Sequence, residues 1–409
     1  MSEPGVVIVG AGHAGGSAAA FLRQYGFTGP LSLIGEEPLA PYQRPPLSKA
    51  WLKGEADAEA LMLRPDSFYS ENDIVLRLGV RAERIDRDAR TVILSGGEAV
   101  PYATLILATG ARARRIPLPG LDLGGVLALR TAADADQLKS ALGPGRRLAV
   151  IGGGYIGLEA AASARALGAE AVVIEREPRV LARVACEALS TFFQDYHRKH
   201  GVHFILDAGV EGIVGGDGRA AAVKLAGGDL VEADAFLVGV GAVPNQELAV
   251  DAGLHCSDGI VVDLEARTSD PAIFAIGDCT RRPMPLYGAR MHRLESVPNA
   301  LEQAKQAASA LTGRPAPAGE VPWFWSDQYD LKLQIAGLPF DAVQTVIRGD
   351  IAAAKFAVFH LDAEHRLQAV EAVNAPPEFM AGRLLIGQRK AVAPDKLRDM
   401  SISMKEVAA

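Results

Sequence analysis

Two glycine-rich fingerprints of the form G-x-G-x-x-G constrain this chain more than any other feature. Gly10-Ala11-Gly12-His13-Ala14-Gly15 follows the short apolar run Val6–Val9, and Gly152-Gly153-Gly154-Tyr155-Ile156-Gly157 follows Leu148–Ile151. A helix-like, Ala-rich segment comes next in each case, Ser17–Tyr25 and Leu158–Leu167. A second apolar run closes each unit, Leu31–Ile34 and Ala171–Ile174. Strand, glycine turn, helix and strand make a βαβ unit. Its recurrence about 140 residues further on predicts two Rossmann-like domains.

Each glycine in such a fingerprint has a separate task. Gly10 permits a tight turn, Gly12 lets the backbone approach a pyrophosphate, and Gly15 lets helix and strand pack closely. The helix start then presents free N–H groups and the positive end of its dipole to phosphate charge. Gly152, Gly154 and Gly157 repeat these tasks, with Tyr155 and Ile156 between them. Glu36, at the end of the second strand, is placed to accept hydrogen bonds from an adenosine ribose, and its neighbour Glu37 is the alternative. Glu175 stands at the matching point of the second unit. A carboxylate there repels a 2′-phosphate and favours NAD over NADP, although the adjacent Arg176 could accommodate one. Glu159, just inside the second helix, reads either as a dipole-stabilised first-turn acid or as an acceptor for a nicotinamide carboxamide. One nucleotide site makes a dehydrogenase or a binding module. Two predict a resident flavin in the first site and an exchanging nicotinamide in the second, hence electron transfer.

The 409 residues suggest two to four domains. With 49% hydrophobic and 22% charged residues, the composition is that of an ordinary soluble globular protein. A net charge of −7 speaks against nucleic acid as the main partner. No apolar run is long enough to span a bilayer, so no membrane association is expected. Met1-Ser2-Glu3-Pro4 lacks the basic region of a signal peptide, which makes the cytoplasm the expected location. Short apolar runs at Leu105–Leu107 and Phe236–Val240 end in glycine-containing turns, which adds Thr109, Gly110 and Gly241 to the candidate cofactor contacts. Val297–Ala310 reads as a helix and Gly313–Gly319 as a linker. Beyond it, Val321–Trp325, Lys332–Ala336, Val343–Ile347, Ala354–His360 and Leu367–Val373 read as strands, and Pro376–Gln388 as a closing helix, an α+β module. The expected organisation is an α/β chain with residues 1–112 and 246–318 as a discontinuous FAD-binding domain, 113–245 as an NAD-binding domain, and 319–409 as a C-terminal α+β domain.

Four further segments carry a family likeness: Arg44-Pro45-Pro46-Leu47-Ser48-Lys49, Ala275-Ile276-Gly277-Asp278-Cys279, Glu295-Ser296-Val297-Pro298-Asn299-Ala300 and Trp323-Phe324-Trp325-Ser326-Asp327-Gln328-Tyr329. Together with both fingerprints they make the sequence resemble, over essentially its whole length, the NADH-dependent ferredoxin reductases of bacterial oxygenase systems (the putidaredoxin reductase and aromatic dioxygenase ferredoxin reductase family). The resemblance implies a glutathione-reductase-like architecture holding FAD and taking NADH. It implies that Ala14 and Glu36 contact the FAD pyrophosphate and adenosine, and that Arg44 and Lys49 lie along the flavin. Lys49 would pair with Glu159, while Ala82 and Arg130 would touch the cofactor. Asp278, in the Gly277-Asp278 turn, would bond the ribityl chain, and Val297 would sit at the ring's far edge. Trp325 would lie near the flavin on the side where a redox partner docks. Lys49, Glu159 and Trp325 are therefore the catalytic candidates, expected to tune and orient rather than react. The plainer alternatives are a surface lysine, a turn-forming aspartate and a core tryptophan.

Cysteine usage bears on the acceptor. Cys186, Cys256 and Cys279 are too few and too widely spaced for a disulfide framework or a redox dithiol, and Pro41–Lys49 contains none. With no internal thiol, electrons should leave for an external acceptor. The resemblance implies a 2Fe-2S ferredoxin serving a haem monooxygenase or a ring-hydroxylating dioxygenase. A cationic rim for such an acidic partner could come from Arg281, Arg282, Arg290 and Arg293, with His292 among them, unless these form a solvated loop. No metal site is expected, and the chain is expected to be a monomer or weak homodimer. Two rival readings stay open: another acceptor (rubredoxin, quinone or oxygen), or a non-catalytic flavoprotein that signals through its dinucleotide-bound state.

Overall fold

The computed structural model describes residues 4–408; Met1–Glu3, part of the segment that set the expectation about targeting, lie outside the described residues. The chain divides into two compact units. One comprises Met1–Gln43, Ala58–Arg112 and Val243–Phe324, and the other Arg44–Asp57, Ala113–Ala242 and Trp325–Ala409. Residues 44–57 and the C-terminal segment thus group with the second fingerprint.

The first unit is built on a mixed sheet. Ile74–Leu78, Leu31–Gly35, Gly5–Val9 and Ala99–Leu107 run parallel in that order, and Ile273–Ala275 also pairs parallel with Ala99–Leu107. The strand Gly5–Val9 is central. Its Val6, Val7, Ile8 and Val9 are all buried, as a parallel strand covered on both faces requires. Thr91–Leu94 and Ala82–Asp86 extend the sheet antiparallel. Helix His13–Gln24 turns Ala18, Ala19 and Leu22 inward against Ala304, Ala307 and Ala308 of helix Val297–Leu311. Alanines on both surfaces let the two backbones approach closely.

The second unit repeats the pattern. Its parallel sheet has the order Val202–Ile205, Glu170–Ile174, Arg147–Ile151, Ala235–Val238 and Val126–Leu127. Helix Tyr155–Ala166 packs on this sheet, and a three-stranded antiparallel sheet spans Val210–Gly216, Arg219–Leu225 and Leu230–Glu232. The C-terminal portion is a five-stranded sheet ordered Trp323–Gln328, Leu331–Gly337, Leu367–Val373, Lys355–Leu361 and Gln344–Asp350. Helix Pro376–Gln388 covers it, as the sequence leads one to expect. A Cβ at Gly382 would lie 2.7 Å from Val370 Cγ1, so the missing side chain is what lets the helix sit down on the sheet. Both fingerprint helices begin three or four residues earlier than the apolar pattern indicates, at His13 and Tyr155, because each starts inside its glycine motif. Among the described residues no helix is long and apolar enough to cross a membrane.

Candidate active site

In the first unit Gly10 and Gly15 stand where a Cβ would clash with backbone. Gly10 has φ of +116°, and a Cβ on it would lie 2.1 Å from the Ala108 carbonyl oxygen. A Cβ on Gly15 would lie 1.9 Å from the Gly10 carbonyl oxygen, whereas one on Gly12 would meet nothing within 4 Å. Gly12 is also the N-cap, without a side-chain cap hydrogen bond. An uncapped helix start facing open space leaves backbone N–H groups free to receive an anion. Ala14 is buried in the first turn, and Gly277, with φ of +80°, approaches its Cβ. Gln303 holds the Gly277-Asp278 turn, its Oε1 accepting from Gly277 N–H at 2.8 Å and Thr280 Oγ1 at 2.9 Å. His13 leaves a buried Nδ1 without a hydrogen-bond partner at this helix start. Burial pushes its imidazole pKa down, while the charge of Asp278 pulls it back up. Such an orphaned polar atom fits a site shaped for a further group.

The remaining first-unit candidates differ in how they are engaged. The Glu36 side chain is 71% exposed, with Arg81 3.8 Å away, whereas Glu37 accepts the Tyr42 hydroxyl at 2.6 Å. Glu36 is therefore the more available of the two carboxylates. Thr109 Oγ1 donates to the Asn245 carbonyl at 2.6 Å, and Gly110 O accepts Asn245 N–H, so this turn is tied to the following chain. Ala82 is buried in its strand, and Val297 opens a helix capped by Ser296.

In the second unit Gly152 has φ of +109° and Gly157 would place a Cβ 2.3 Å from the Gly152 carbonyl. Gly154 again meets nothing and caps its helix without a side chain. Glu175 turns one oxygen to Gly153 N–H at 2.6 Å and the other to Glu177 N–H at 2.9 Å, so it shapes the glycine loop. Arg176 pairs with Glu177 at 2.9 Å. Ile156 is exposed, and Tyr155 donates its hydroxyl to Val184 O at 3.3 Å. Gly241, with φ of +108°, accepts Arg114 N–H at its carbonyl.

The densest chemistry of this unit surrounds Glu159, which is 3% exposed. Its Oε2 receives Lys49 Nζ at 2.6 Å and Ser48 Oγ at 2.5 Å, and its Oε1 receives Ser326 Oγ at 2.5 Å. The Lys49 side chain is 17% exposed and so is not a free surface lysine. Ser163 on the Glu159 helix donates to Ser48 O at 2.7 Å, holding the Pro45–Ser48 turn in place. Nothing local marks Ser48 or Ser326 for this role; their one signal in the sequence is their place inside the family segments. The network continues outward. Gln328 Nε2 donates to Ser326 Oγ at 3.0 Å, and His197 Nε2 meets Gln328 Oε1 at 2.7 Å. Tyr329 hydroxyl reaches His197 Nδ1 at 3.3 Å. Burial drives the His197 pKa down to about 4, leaving it neutral. Gln328 already uses its amide hydrogen on Ser326, so His197 carries its proton on Nε2, and every donor in the chain points toward Glu159.

Arg44 and Arg130 come together, Arg44 Nη1 donating to Arg130 O at 2.5 Å. Trp325 is half-buried, on the face of its strand opposite the buried Ser326 and Gln328. The expected cationic rim needs correction. Arg282 is buried, its side chain 4% exposed, and is locked to Glu302 at 3.0 Å and to Asn299 at 3.2 Å, so it cannot meet a docking partner. Burial and its arginine neighbours also push His292 toward the neutral form. Arg281 donates to Ser257 at 3.0 Å, Arg293 pairs with Glu295, and Arg290 is exposed.

Two uncapped glycine turns after the central parallel strands of separate sheets, with a clamped lysine–glutamate pair, fit an FAD- and NAD(H)-dependent oxidoreductase. The chain belongs to the pyridine nucleotide-disulphide oxidoreductase family, whose profile matches residues 4–304; a reductase C-terminal profile matches residues 323–408. It is 52% identical over 403 residues to a probable ferredoxin reductase, CtmF, of Castellaniella defragrans, covering 98% of each chain. It is 46% identical to rhodocoxin reductase of Rhodococcus erythropolis, covering 98% of this chain and 93% of that one. Among solved structures, the reductase in a covalent putidaredoxin reductase–putidaredoxin complex superposes with a TM-score of 0.95 at 41% identity, over 100% of this chain and 98% of that one. These likenesses agree with the glutathione-reductase-like fold expected from the sequence. None of the three cysteines is disulfide-bonded, and none lies in the Pro41–Lys49 segment.

Proposed function

We propose that this protein passes electrons from NADH through bound FAD to a small 2Fe-2S ferredoxin that serves an oxygenase. The observation that carries this is the Lys49–Glu159 clamp on the helix that opens at Gly154, in a chain whose Pro41–Lys49 segment holds no cysteine. When bound, FAD accepts the hydride of NADH and yields its electrons singly. Residues 1–112 and 246–318 hold FAD, residues 113–245 take NADH, and residues 319–409 complete the molecule. Gly10, Gly12, Ala14 and Gly15 cradle the FAD pyrophosphate through backbone N–H groups, and Glu36 accepts from the adenosine ribose. Asp278 bonds the ribityl chain, while Ala82, Thr109, Gly110, Gly277 and Val297 shape the walls. Gly152, Gly154, Tyr155, Ile156, Gly157, Glu175 and Gly241 hold the nicotinamide dinucleotide. Arg44 and Arg130 supply positive charge, and Trp325 faces the redox partner.

Glu159 orients the carboxamide, and Lys49 fixes the carboxylate in one rotamer; neither needs to exchange a proton in the hydride step. One NADH reduces two ferredoxins and releases one proton. The exposed Arg290 and the edge of Arg281 are what remains of the cationic rim for an acidic partner. The protein works in the cytoplasm, as a monomer or weak dimer.

The test is steady-state reduction of a panel of purified carriers by NADH: 2Fe-2S ferredoxins, rubredoxin, a quinone and oxygen. Ferredoxin is expected to be reduced at a kcat/KM at least about tenfold above the others, equivalent to about 1.4 kcal/mol. A preference for quinone or oxygen overturns the reading.

A further inference from the structure

Away from the Lys49–Glu159 clamp, three metal-type donors converge in the second unit. His360 lies on strand Lys355–Leu361 and Glu371 on its antiparallel neighbour Leu367–Val373. His360 pairs in register with Ala369, so it shares a face with Glu371 two residues on. Cys186, the N-cap of helix Glu187–Lys199, comes down on that face, its N–H donating to Glu371 Oε1 at 3.1 Å. One donor atom from each residue lies within 4.8 Å of the other two.

The local hydrogen bonding leaves this cluster incomplete. His360 Nε2 is buried and has no hydrogen-bond partner. It points at Glu371 Oε2 from 3.6 Å, too far for a hydrogen bond, with the two side chains 7% and 5% exposed. That separation is close to the edge of a tetrahedron around zinc, about 3.5 Å for ligands near 2.1 Å. The Cys186 side chain, half-buried, faces the same carboxylate. A cation between the groups would neutralise Glu371, complete the imidazole and stabilise the thiolate together.

We propose that Cys186, His360 and Glu371 form a three-ligand site for a thiophilic divalent ion of the zinc class, with solvent as fourth ligand. One sulfur, one imidazole nitrogen and one carboxylate suit Zn2+ and exclude a preference for Mg2+ or Ca2+, which favour all-oxygen sets. The ion would pin the start of helix Glu187–Lys199 to the C-terminal sheet. It would also lie beside the second glycine fingerprint, because Tyr155 is within electrostatic reach of both Glu371 and Cys186.

The experiment uses the full FAD-loaded chain, stripped with a chelator and titrated with Zn2+ by calorimetry, with Mg2+ as competitor. The expected result is one Zn2+ per chain, undisturbed by Mg2+ and weakened about 100-fold or more in Cys186→Ser and in His360→Gln. Alkylation of Cys186 by iodoacetamide, read by peptide mass, gives a second measure. Zn2+ should protect Cys186 in the unaltered chain and fail to do so in His360→Gln. Should either variant lose flavin or helicity, protection in the unaltered chain decides alone. Only millimolar binding, equal binding in the folded variants, or unprotected Cys186 at saturating Zn2+ overturns the site.

Discussion

A buried carboxylate is tolerable only when its charge is met. Glu159 meets it with one ammonium and two hydroxyls, and the consequences can be measured one residue at a time. Ser326→Ala removes a donor from Glu159 and strands the amide hydrogen of Gln328. We expect a loss of about 1–3 kcal/mol in denaturant unfolding, together with slower flavin reduction. Glu159→Gln should slow flavin reduction by NADH about 10–100-fold in single-turnover mixing while FAD stays bound, because the acceptor loses its fixed orientation. His197 carries a pH signature. Its pKa falls from 6.5 to about 4 on folding, so between those values the unfolded chain binds the extra proton. Stability should therefore be complete above about pH 6.5 and fall as pH drops toward 4, by roughly 3 kcal/mol at most. Unfolding at several pH values, compared with His197→Gln, reads this component; an unchanged slope in the variant would contradict it.

At the scale of elements, the glycine turns make separable claims. A Cβ at Gly15 meets the Gly10 carbonyl and one at Gly157 meets the Gly152 carbonyl, both on fixed backbone. Gly15→Ala should yield a protein poor in flavin. Gly157→Ala should stay yellow but bind NADH at least about tenfold more weakly in a fluorescence titration. These two turns were fully legible in the sequence, because each pairs a β-branched run with glycines whose spacing has one geometric meaning. The closing helix Pro376–Gln388 was legible for the same kind of reason, with prolines at its start. What the sequence hid depends on distant partners. Ser48 and Ser326 lie 278 residues apart yet bond the same carboxylate, and nothing local marks either hydroxyl. Arg282 reads as one more arginine in a basic run until Glu302, from a helix 20 residues on, is found beneath it.

Over the whole molecule, the fold class could be read because two repeats of one motif leave few architectures open. Chain segments group less obviously: residues 44–57 fold with the second fingerprint although they follow the first. That grouping brings Lys49 to Glu159, so the Arg44–Lys49 segment packs with the second glycine fingerprint. The buried Arg282–Glu302 pair belongs to the other unit, where Arg282→Ala should cost about 3–5 kcal/mol by leaving Glu302 buried without its partner, seen as a lower unfolding midpoint. The central claim is that NADH delivers its electrons to FAD held by this chain. Anaerobic stopped-flow mixing of the purified yellow protein with NADH or with NADPH tests it most directly. The account expects rapid bleaching of the flavin band with NADH and at least about tenfold slower bleaching with NADPH. A protein that leaves its flavin oxidised in excess NADH would contradict it.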